Sequence, residues 1–338
     1  MTCFAFRSFP KKKETTQAKL IPKYDDYLLV PEKRPNALVR LICFPFAGGN
    51  AGVFSSKWSS DLPKAVEYVA VQYPGRQTRA TEPFITDMKE LARKITDSLT
   101  PLITKGKPYA FFAHSLGTLV AYETALEIRR RKLPLPEQLI LSGRGAPGAI
   151  DFGGKPIDCD LPDNDFADLA VSRFGPSPGL IDQRLFSLSL PPLRADMKMY
   201  YSYEPELSDT STENAPEPLE APLPLPATVI GATGDPLSQS ETIETWRAFF
   251  GREEAKEKHN DRENADAVTD IDTDSDADAS YESESASAPA KKKKPFFFQK
   301  IVIDEPVHQY LDRRHFKEEL MRCLSSLVVR TMEEEVWC

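Results

Sequence analysis

A serine stands on a tight turn between a strand-like run and a helix-like run. The pentapeptide AHSLG (113–117) follows the apolar run Tyr109–Phe112 and precedes a helical segment. On such a turn the hydroxyl projects at the carboxyl end of a sheet, and the small residues on either side let neighbouring backbone approach. The amide of Leu116, at the helix start, is then placed to stabilise an oxyanion. The pattern favours Ser115 as a nucleophile over the alternative role of a helix cap.

A serine nucleophile needs a histidine to accept its proton, and the chain has four histidines. His114 adjoins the serine on the turn, where we expect its side chain to point elsewhere, and His259 lies in an acidic stretch. His315 falls within a predicted C-terminal helix, where a solvated or packed histidine is the expected role. His308 follows the predicted strand Gln299–Ile303 and is the favoured base, with His315 as its competitor.

An acid is needed to orient the histidine, and Asp235 in the tripeptide Gly-Asp-Pro follows a predicted strand at its carboxyl end. It precedes His308 by 73 residues, and without the 43 residues of the stretch 252–294 the separation is 30, an ordinary crossover. The chain order serine, acid, histidine is that of α/β-hydrolases. A turn aspartate before proline is the alternative role, and Asp304 and Glu305 are competing acids.

A glycine loop, FPFAGGN (44–50), follows the first strong strand. Glycines let main-chain amides point inward, so the amide of Phe46 or of Ala47 is the expected second oxyanion donor. No metal-ligand spacing is present, and we expect neither a metal nor a bound cofactor.

Short apolar runs that alternate with amphipathic segments must position these groups. Strands are predicted at Ala37–Phe44, Glu67–Gln72, Tyr109–Ala113, Gln138–Ser142, Ala227–Gly231 and Gln299–Ile303. Helices are predicted at Phe54–Leu62, Met88–Leu102, Leu116–Arg131, Glu241–Phe250 and Arg313–Thr331. This alternation predicts an α/β fold with a mostly parallel sheet flanked by helices.

Two intervals interrupt the alternation. Residues 145–226 hold helical patches between proline-rich turns, at Asp165–Val171, Arg184–Leu190 and Ala195–Tyr203, and predict a lid or substrate-binding subdomain. Residues 252–294 are acidic and almost without aromatics, which predicts a disordered insertion. We therefore expect a flexible extension over 1–22 and one domain over 23–338.

Apolar residues of the lid either line an acyl groove or form the lid's own core, and the sequence does not separate these roles. They are Phe166, Leu169, Phe174, Leu185, Phe186, Leu188 and Met197, of which Phe166, Phe174, Phe186 and Met197 are the substrate-binding candidates.

Composition excludes several classes of protein. The 338 residues are 41% hydrophobic and 28% charged, as in ordinary globular chains. The net charge of −8 arises between Asp261 and Ala290, where ten acids face one base, so the near-neutral remainder disfavours nucleic acid as a partner. Five dispersed cysteines, with no signal-like leader and no run of eighteen apolar residues, predict a cytoplasmic chain without a membrane span. A basic, hydroxyl-rich segment over 2–20 leaves organelle targeting as the weaker alternative.

Six ordered motifs carry a family resemblance. They are FPFAGG (44–49), VQYPGR (71–76), AHSLG (113–117), LSGRGAP (141–147), LPPLRADMKMYYSY (190–203) and GDP (234–236). Together, between about Lys23 and Leu327, the chain resembles the type II thioesterases of polyketide and nonribosomal peptide synthases.

This resemblance implies an α/β-hydrolase fold and hydrolysis of acyl thioesters from the phosphopantetheine arm of an acyl or peptidyl carrier protein, in editing or chain release. Relatives release medium-chain fatty acids from fatty acid synthase. It also implies nucleophile, acid and base at Ser115, Asp235 and His308. The chain departs from the pattern at Ala113, at Glu305-Pro306-Val307 where glycine usually leads into the histidine, and in the acidic insertion.

Two other functions stay open on the sequence. A carboxylesterase or lipase acting on oxygen esters shares the same three residues, although VQYPGR and PLRAD disfavour it. A carrier-protein-binding module with weak catalysis is favoured only if His308 is misplaced.

Overall fold

The structure is a computed structural model. It describes residues 24–54, 61–104, 106–149, 155–176, 178–208, 218–251, 297–305, 308, 311 and 313–336. The predicted N-terminal extension (1–22) and acidic insertion (252–294) lie outside the described residues, and the boundaries given to them stay predictions.

A seven-stranded sheet forms the centre of the fold. Its strands are β1 (Leu28–Leu29), β2 (Val39–Phe44), β3 (Val66–Val71), β4 (Tyr109–His114), β5 (Leu139–Ser142), β6 (Ala227–Ala232) and β7 (Phe298–Ile303). They lie in the order β1-β3-β2-β4-β5-β6-β7, and every pair is parallel except β1 with β3. The six strands predicted from the alternation are confirmed. The two-residue β1 was missed because so short a run has no periodicity to detect.

Helices flank the sheet and build the lid. They are α1 (Met88–Ile103), α2 (Leu116–Arg130), α3 (Asp163–Phe174), α4 (Pro178–Ile181), α5 (Gln183–Tyr201), α6 (Ser240–Glu244) and α7 (Arg314–Val336). Short 3-10 turns occur at Ala51–Phe54, Gln77–Arg79 and Thr245–Phe249. In the described part of the chain, no helix has both the length and the apolar character needed to cross a membrane.

Two predicted helices outside the lid differ from the structure. The turn Ala51–Phe54 precedes the helix predicted at 54–62, of which residues 55–60 lie outside the described part of the chain. The helix predicted at 241–250 is split into α6 and a 3-10 turn.

The patches predicted at 184–190 and 195–203 are one continuous helix, α5, that runs through Pro191 and Pro192. A proline inside a helix removes a hydrogen bond and costs about 3 kcal/mol. Burial of Leu190 and Leu193 within the lid offsets that cost, which a local pattern does not reveal.

Alternate residues of each central strand enter opposite cores. Along β2, Leu41 and Cys43 face the layer of α7, whereas Ile42 and Phe44 face the layer of α1 and α2. A strand covered on both faces is mostly apolar, which is why the central parallel strands were recognisable in sequence. The register aligns the carboxyl ends of β2, β4 and β5 at one edge, and the lid residues follow β5 at that edge.

Candidate active site

Ser115 occupies the sharp turn between β4 and α2. Its φ of 54° and ψ of −125° are a strained conformation for a residue with a side chain, and such strain is typical of functional turns. The Ser115 amide donates to the Ser142 carbonyl at 2.7 Å, and its own carbonyl accepts from the Thr118 amide at 3.0 Å and from the Thr118 hydroxyl at 2.8 Å. These bonds hold the turn from both sides.

Gly117 brings this turn against the glycine loop. A Cβ at position 117 would lie 2.5 Å from the Phe44 carbonyl oxygen and 2.7 Å from that of Pro45. Only a residue without a side chain allows this approach. The close contact sets the separation between the serine and the loop that carries Phe46 and Ala47.

His308 lies between Ser115 and Asp235. Its Nε2 is 2.7 Å from the Ser115 Oγ, and its Nδ1 is 2.8 Å from the Asp235 Oδ2. A carboxylate only accepts hydrogen bonds, so Nδ1 is assigned the proton and Nε2 is left to accept one from the serine hydroxyl. All three side chains are buried. The three residues favoured on sequence grounds therefore meet within hydrogen-bonding distance.

Asp235 is held as a carboxylate. Burial by itself raises its pKa, but the hydrogen bond from His308 and further bonds from the Ser238 hydroxyl and the Leu237 amide, the latter at 3.0 Å, outweigh burial and lower the pKa below its usual value. A charged carboxylate next to the imidazole stabilises the imidazolium that forms when the serine is deprotonated.

The competing residues lie elsewhere. The His315 side chain is 62% exposed on α7 and lies 3.4 Å from Glu305, which is also near Arg313. Asp304 accepts a hydrogen bond from the Thr233 hydroxyl at 3.0 Å. Neither acid contacts the histidine that reaches the serine.

His114 contributes to the site in a way that the sequence analysis missed. Its ring stacks on that of His308 with centroids 5.2 Å apart, its Nε2 lies 3.2 Å from the His308 carbonyl oxygen, and its Nδ1 lies 3.2 Å from the Ser142 hydroxyl. Complete burial, aided by the neighbouring His308, lowers the pKa of His114 to about 3. A neutral His114 therefore supports the backbone of the base. No local signal marks this contact, because it joins residues 194 positions apart.

The predicted oxyanion donors border the same cavity. Leu116 is the first residue of α2, where an amide has no partner within the helix. Leu116, Phe46 and Ala47 line a cavity of about 780 Å³ together with Ser115 and His308. Their role as oxyanion donors stays a prediction, which this shared lining of the cavity supports.

The lid supplies the apolar wall of this cavity. Phe174 of α3 and Met197 of α5 line it, as do Leu185 and Leu188. The Phe174 ring is 6.2 Å from the ring of His308.

The other two substrate-binding candidates lie inside the lid. Phe166 is fully buried in the core shared by α3 and α5, and Phe186 is partly buried against that core. These two residues fill the core of the lid and do not line the cavity, so their prediction as substrate-binding residues is not supported by the structure.

Comparison with known proteins identifies the family. A family model described as a thioesterase domain matches residues 39–281. The chain belongs to the thioesterase family. The family match reaches from β2 across the lid and past β6, and so includes Ser115 and Asp235.

Similar proteins are found among biosynthetic enzymes. This thioesterase is 34% identical to the gramicidin S biosynthesis protein GrsT of Aneurinibacillus migulanus over 64% of this chain and 78% of that protein. It is 35% identical to the thioesterase PikA5 of Streptomyces venezuelae over 63% of this chain and 70% of that protein. It is 32% identical to the medium-chain S-acyl fatty acid synthase thioesterase of Rattus norvegicus over 54% of this chain and 69% of that protein.

A solved structure shares the fold. RedJ, a thioesterase from the prodiginine biosynthetic pathway in Streptomyces coelicolor, has a TM-score of 0.61 at 26% identity, with 88% of this chain and 87% of that chain covered. The predicted resemblance to type II thioesterases and the α/β-hydrolase fold are confirmed.

The thioesterase accommodates one of its departures from the family pattern without strain. Ala113 is fully buried at the end of β4, paired with Leu141 and Phe44, and its methyl group packs in the core. Val307 lies outside the described residues, although His308 itself is described. Among the described residues, no cluster of His, Cys, Asp and Glu side chains is suited to hold a metal ion.

Proposed function

We propose that this thioesterase hydrolyses acyl thioesters carried on the phosphopantetheine arm of an acyl or peptidyl carrier protein. The observation that carries the proposal is the 2.7 Å contact between the His308 Nε2 and the Ser115 Oγ, at the base of an apolar-walled cavity. Similarity to proteins named for gramicidin S biosynthesis and for fatty acid synthase supports the carrier-bound substrate.

The first half of the reaction is acyl transfer to the serine. As the Ser115 oxygen attacks the thioester carbonyl, His308 takes its proton, and Asp235 stabilises the resulting imidazolium. The amides of Leu116 and of Phe46 or Ala47 donate to the oxyanion. The intermediate then collapses: the carbon–sulfur bond breaks, and the imidazolium gives its proton to the departing thiolate sulfur, which leaves as the free thiol.

The second half is hydrolysis of the acyl-serine. His308 deprotonates a water molecule, which attacks the ester carbonyl through a second oxyanion held by the same amides. When the bond to the Ser115 oxygen breaks, the imidazolium reprotonates the serine and the free acid leaves. No step requires a metal or an organic cofactor.

Hydrolysis of oxygen esters is the second candidate, because it uses the same three residues. The decisive experiment compares kcat/KM for one acyl chain on four leaving groups: holo-carrier protein, pantetheine, coenzyme A and p-nitrophenol. We expect the carrier-bound thioester to be the best substrate. Hydrolysis confined to the nitrophenyl ester contradicts the proposal, and protein inactivated with a fluorophosphonate provides the background rate.

A binding module without turnover is the third candidate. A fluorophosphonate reacts with a serine only when a base activates it, so labelling of Ser115 separates an enzyme from an inactive scaffold. The distances around His308 favour labelling. Absence of a labelled adduct at this serine contradicts the catalytic proposal.

The state of the cysteine side chains supports a cytoplasmic location for the protein. Cys43, Cys159 and Cys323 are free and buried in the described chain, as expected for a protein kept in a reducing compartment. Fractionation of cells that express the full chain tests this location against an organelle.

A further inference from the structure

A buried ion pair joins the lid to the glycine loop. Asp196 of α5 is 1% exposed, and its two oxygens each accept from the Arg76 guanidinium at 2.7 Å. The Asp196 Oδ2 also accepts from the amide of Gly48 at 2.7 Å, and the Arg76 Nη1 donates to the Gly49 carbonyl at 3.0 Å. The pair thus holds both glycines of the loop, one by its amide and the other by its carbonyl.

The arginine side of this pair is anchored to the sheet. Arg76 follows β3, its Nε donates to the Pro74 carbonyl at 3.3 Å, and its own carbonyl accepts from the Gln72 side chain at 3.2 Å. The same Gln72 side chain accepts from the Ala51 amide at 3.1 Å. Asp196 is therefore the member of the pair that lies on the lid helix, whereas Arg76 lies on the segment that follows β3.

The glycine loop has little freedom of its own while α5 is in place. Gly48 has a φ of +72°, and a Cβ there would lie 3.0 Å from the Cβ of Leu193. The Gly49 amide donates to the Phe46 carbonyl at 2.8 Å, which closes a turn over the segment that contains Phe46 and Ala47, the two candidate donors. The position of the second oxyanion donor hence depends on how Gly48 and Gly49 are held.

We propose that Asp196 and Arg76 are positioning residues for the oxyanion hole. They fix the Gly48–Gly49 turn, so the second oxyanion donor is in place only when α5 is seated on the loop. The position of the lid then determines how well the oxyanion is stabilised. The proposal rests on the proposed acyl-transfer mechanism at Ser115.

The test variant is Asp196→Asn, which keeps an oxygen for Gly48 and removes the charge that faces Arg76. Loss of one oxyanion donor lowers kcat by about 10²- to 10³-fold, so a displaced donor should lower kcat by about 10- to 100-fold with KM nearly unchanged. Lys198→Ala is the matched control, because it removes an exposed ion pair between α5 and Asp160, 2.7 Å long, without touching the loop. The control should retain wild-type kcat.

Two inhibitors separate positioning from general support of the fold. An alkyl trifluoromethyl ketone forms an oxyanion with Ser115, whereas a thioether of the same length binds without one. We expect Asp196→Asn to weaken the ketone by about the factor lost in kcat and to leave thioether affinity unchanged. Because the ketone adduct forms at Ser115 whichever ester is the substrate, this ratio tests the coupling even if thioesters prove not to be the substrate.

Arg76→Lys covers the case in which Asp196→Asn does not fold. Lysine keeps the charge but cannot span both carboxylate oxygens and the Gly49 carbonyl, so the same selective loss of ketone affinity is expected. The proposal is overturned if a folded variant keeps kcat within threefold of wild type. It is also overturned if both inhibitors weaken equally, because the pair then only supports the lid.

Discussion

Replacement of Asp235 with asparagine removes a charge from beside His308 and leaves a side chain of similar size. The bond between the His308 Nδ1 and the carboxylate is 2.8 Å long, and both groups are buried. Charge centres about 4 Å apart attract with about 4 kcal/mol at an effective dielectric constant of about 20. That attraction acts on the imidazolium of the transition state, and about 1.4 kcal/mol corresponds to a factor of ten. We therefore expect kcat to fall by about a thousandfold.

The assay is steady-state hydrolysis of an acyl-carrier thioester, with KM recorded alongside kcat. KM should change little, since the carboxylate does not line the cavity wall. Ser238→Ala is the matched control: it deletes one hydrogen bond to the same carboxylate and keeps the charge. A bond of that kind is worth about 1.5–3 kcal/mol, only part of which reaches the transition state, so its kcat should fall by about tenfold or less. Asp235→Asn turnover within tenfold of wild type, or equal losses in the two variants, refutes the reasoning.

Three further outcomes are expected. Gly117→Ala should lower kcat at least tenfold. The added Cβ would lie 2.5 Å from the Phe44 carbonyl oxygen and 2.7 Å from the Pro45 carbonyl oxygen, so it must separate the serine turn from the oxyanion loop. A wild-type kcat would contradict this prediction, and a melting curve checks that the variant is folded. The pKa of the Asp235 carboxyl is lower in the folded protein than its value of about 3.9 in the unfolded chain. The carboxylate therefore stabilises the fold at pH values above about 3.9, and this stabilisation is lost as the pH falls through the lowered pKa of the folded protein. The melting-temperature gap between wild type and Asp235→Asn should narrow below about pH 4; a constant gap opposes the assignment. Deletion of 255–294 should leave kcat within a few-fold, and a collapse of turnover would show that the insertion has a catalytic role.

Sequence periodicity predicted most of the sheet because the central parallel strands are buried on both faces, whereas only the parallel edge strand β7 is largely exposed. It also predicted which residues follow the strand ends, since chain order alone puts Ser115, Asp235 and His308 after β4, β6 and β7. The edge strand β1 and the unbroken helix α5 depend on tertiary packing. Neither leaves a pattern that a local window detects.

The supporting contacts of the site were beyond prediction for a similar reason. Arg76 and Asp196 belong to the motifs VQYPGR and PLRAD, which lie 120 residues apart and have no chemistry as separate segments. His114 was expected to point away from the site, yet its ring stacks on His308. Such contacts follow from how the strand ends and the lid meet in space, which spacing along the chain does not encode.

The reactivity of one hydroxyl underlies the whole account, and Ser115→Ala tests it most directly. The variant's hydrolysis of an acyl-carrier thioester should be at least about 10⁴-fold slower than that of the wild-type protein, since loss of the nucleophile removes acyl transfer. Its melting temperature should stay within a few degrees of wild type, as only one oxygen atom is deleted. Hydrolysis within tenfold of wild type by the purified, folded variant would contradict the account.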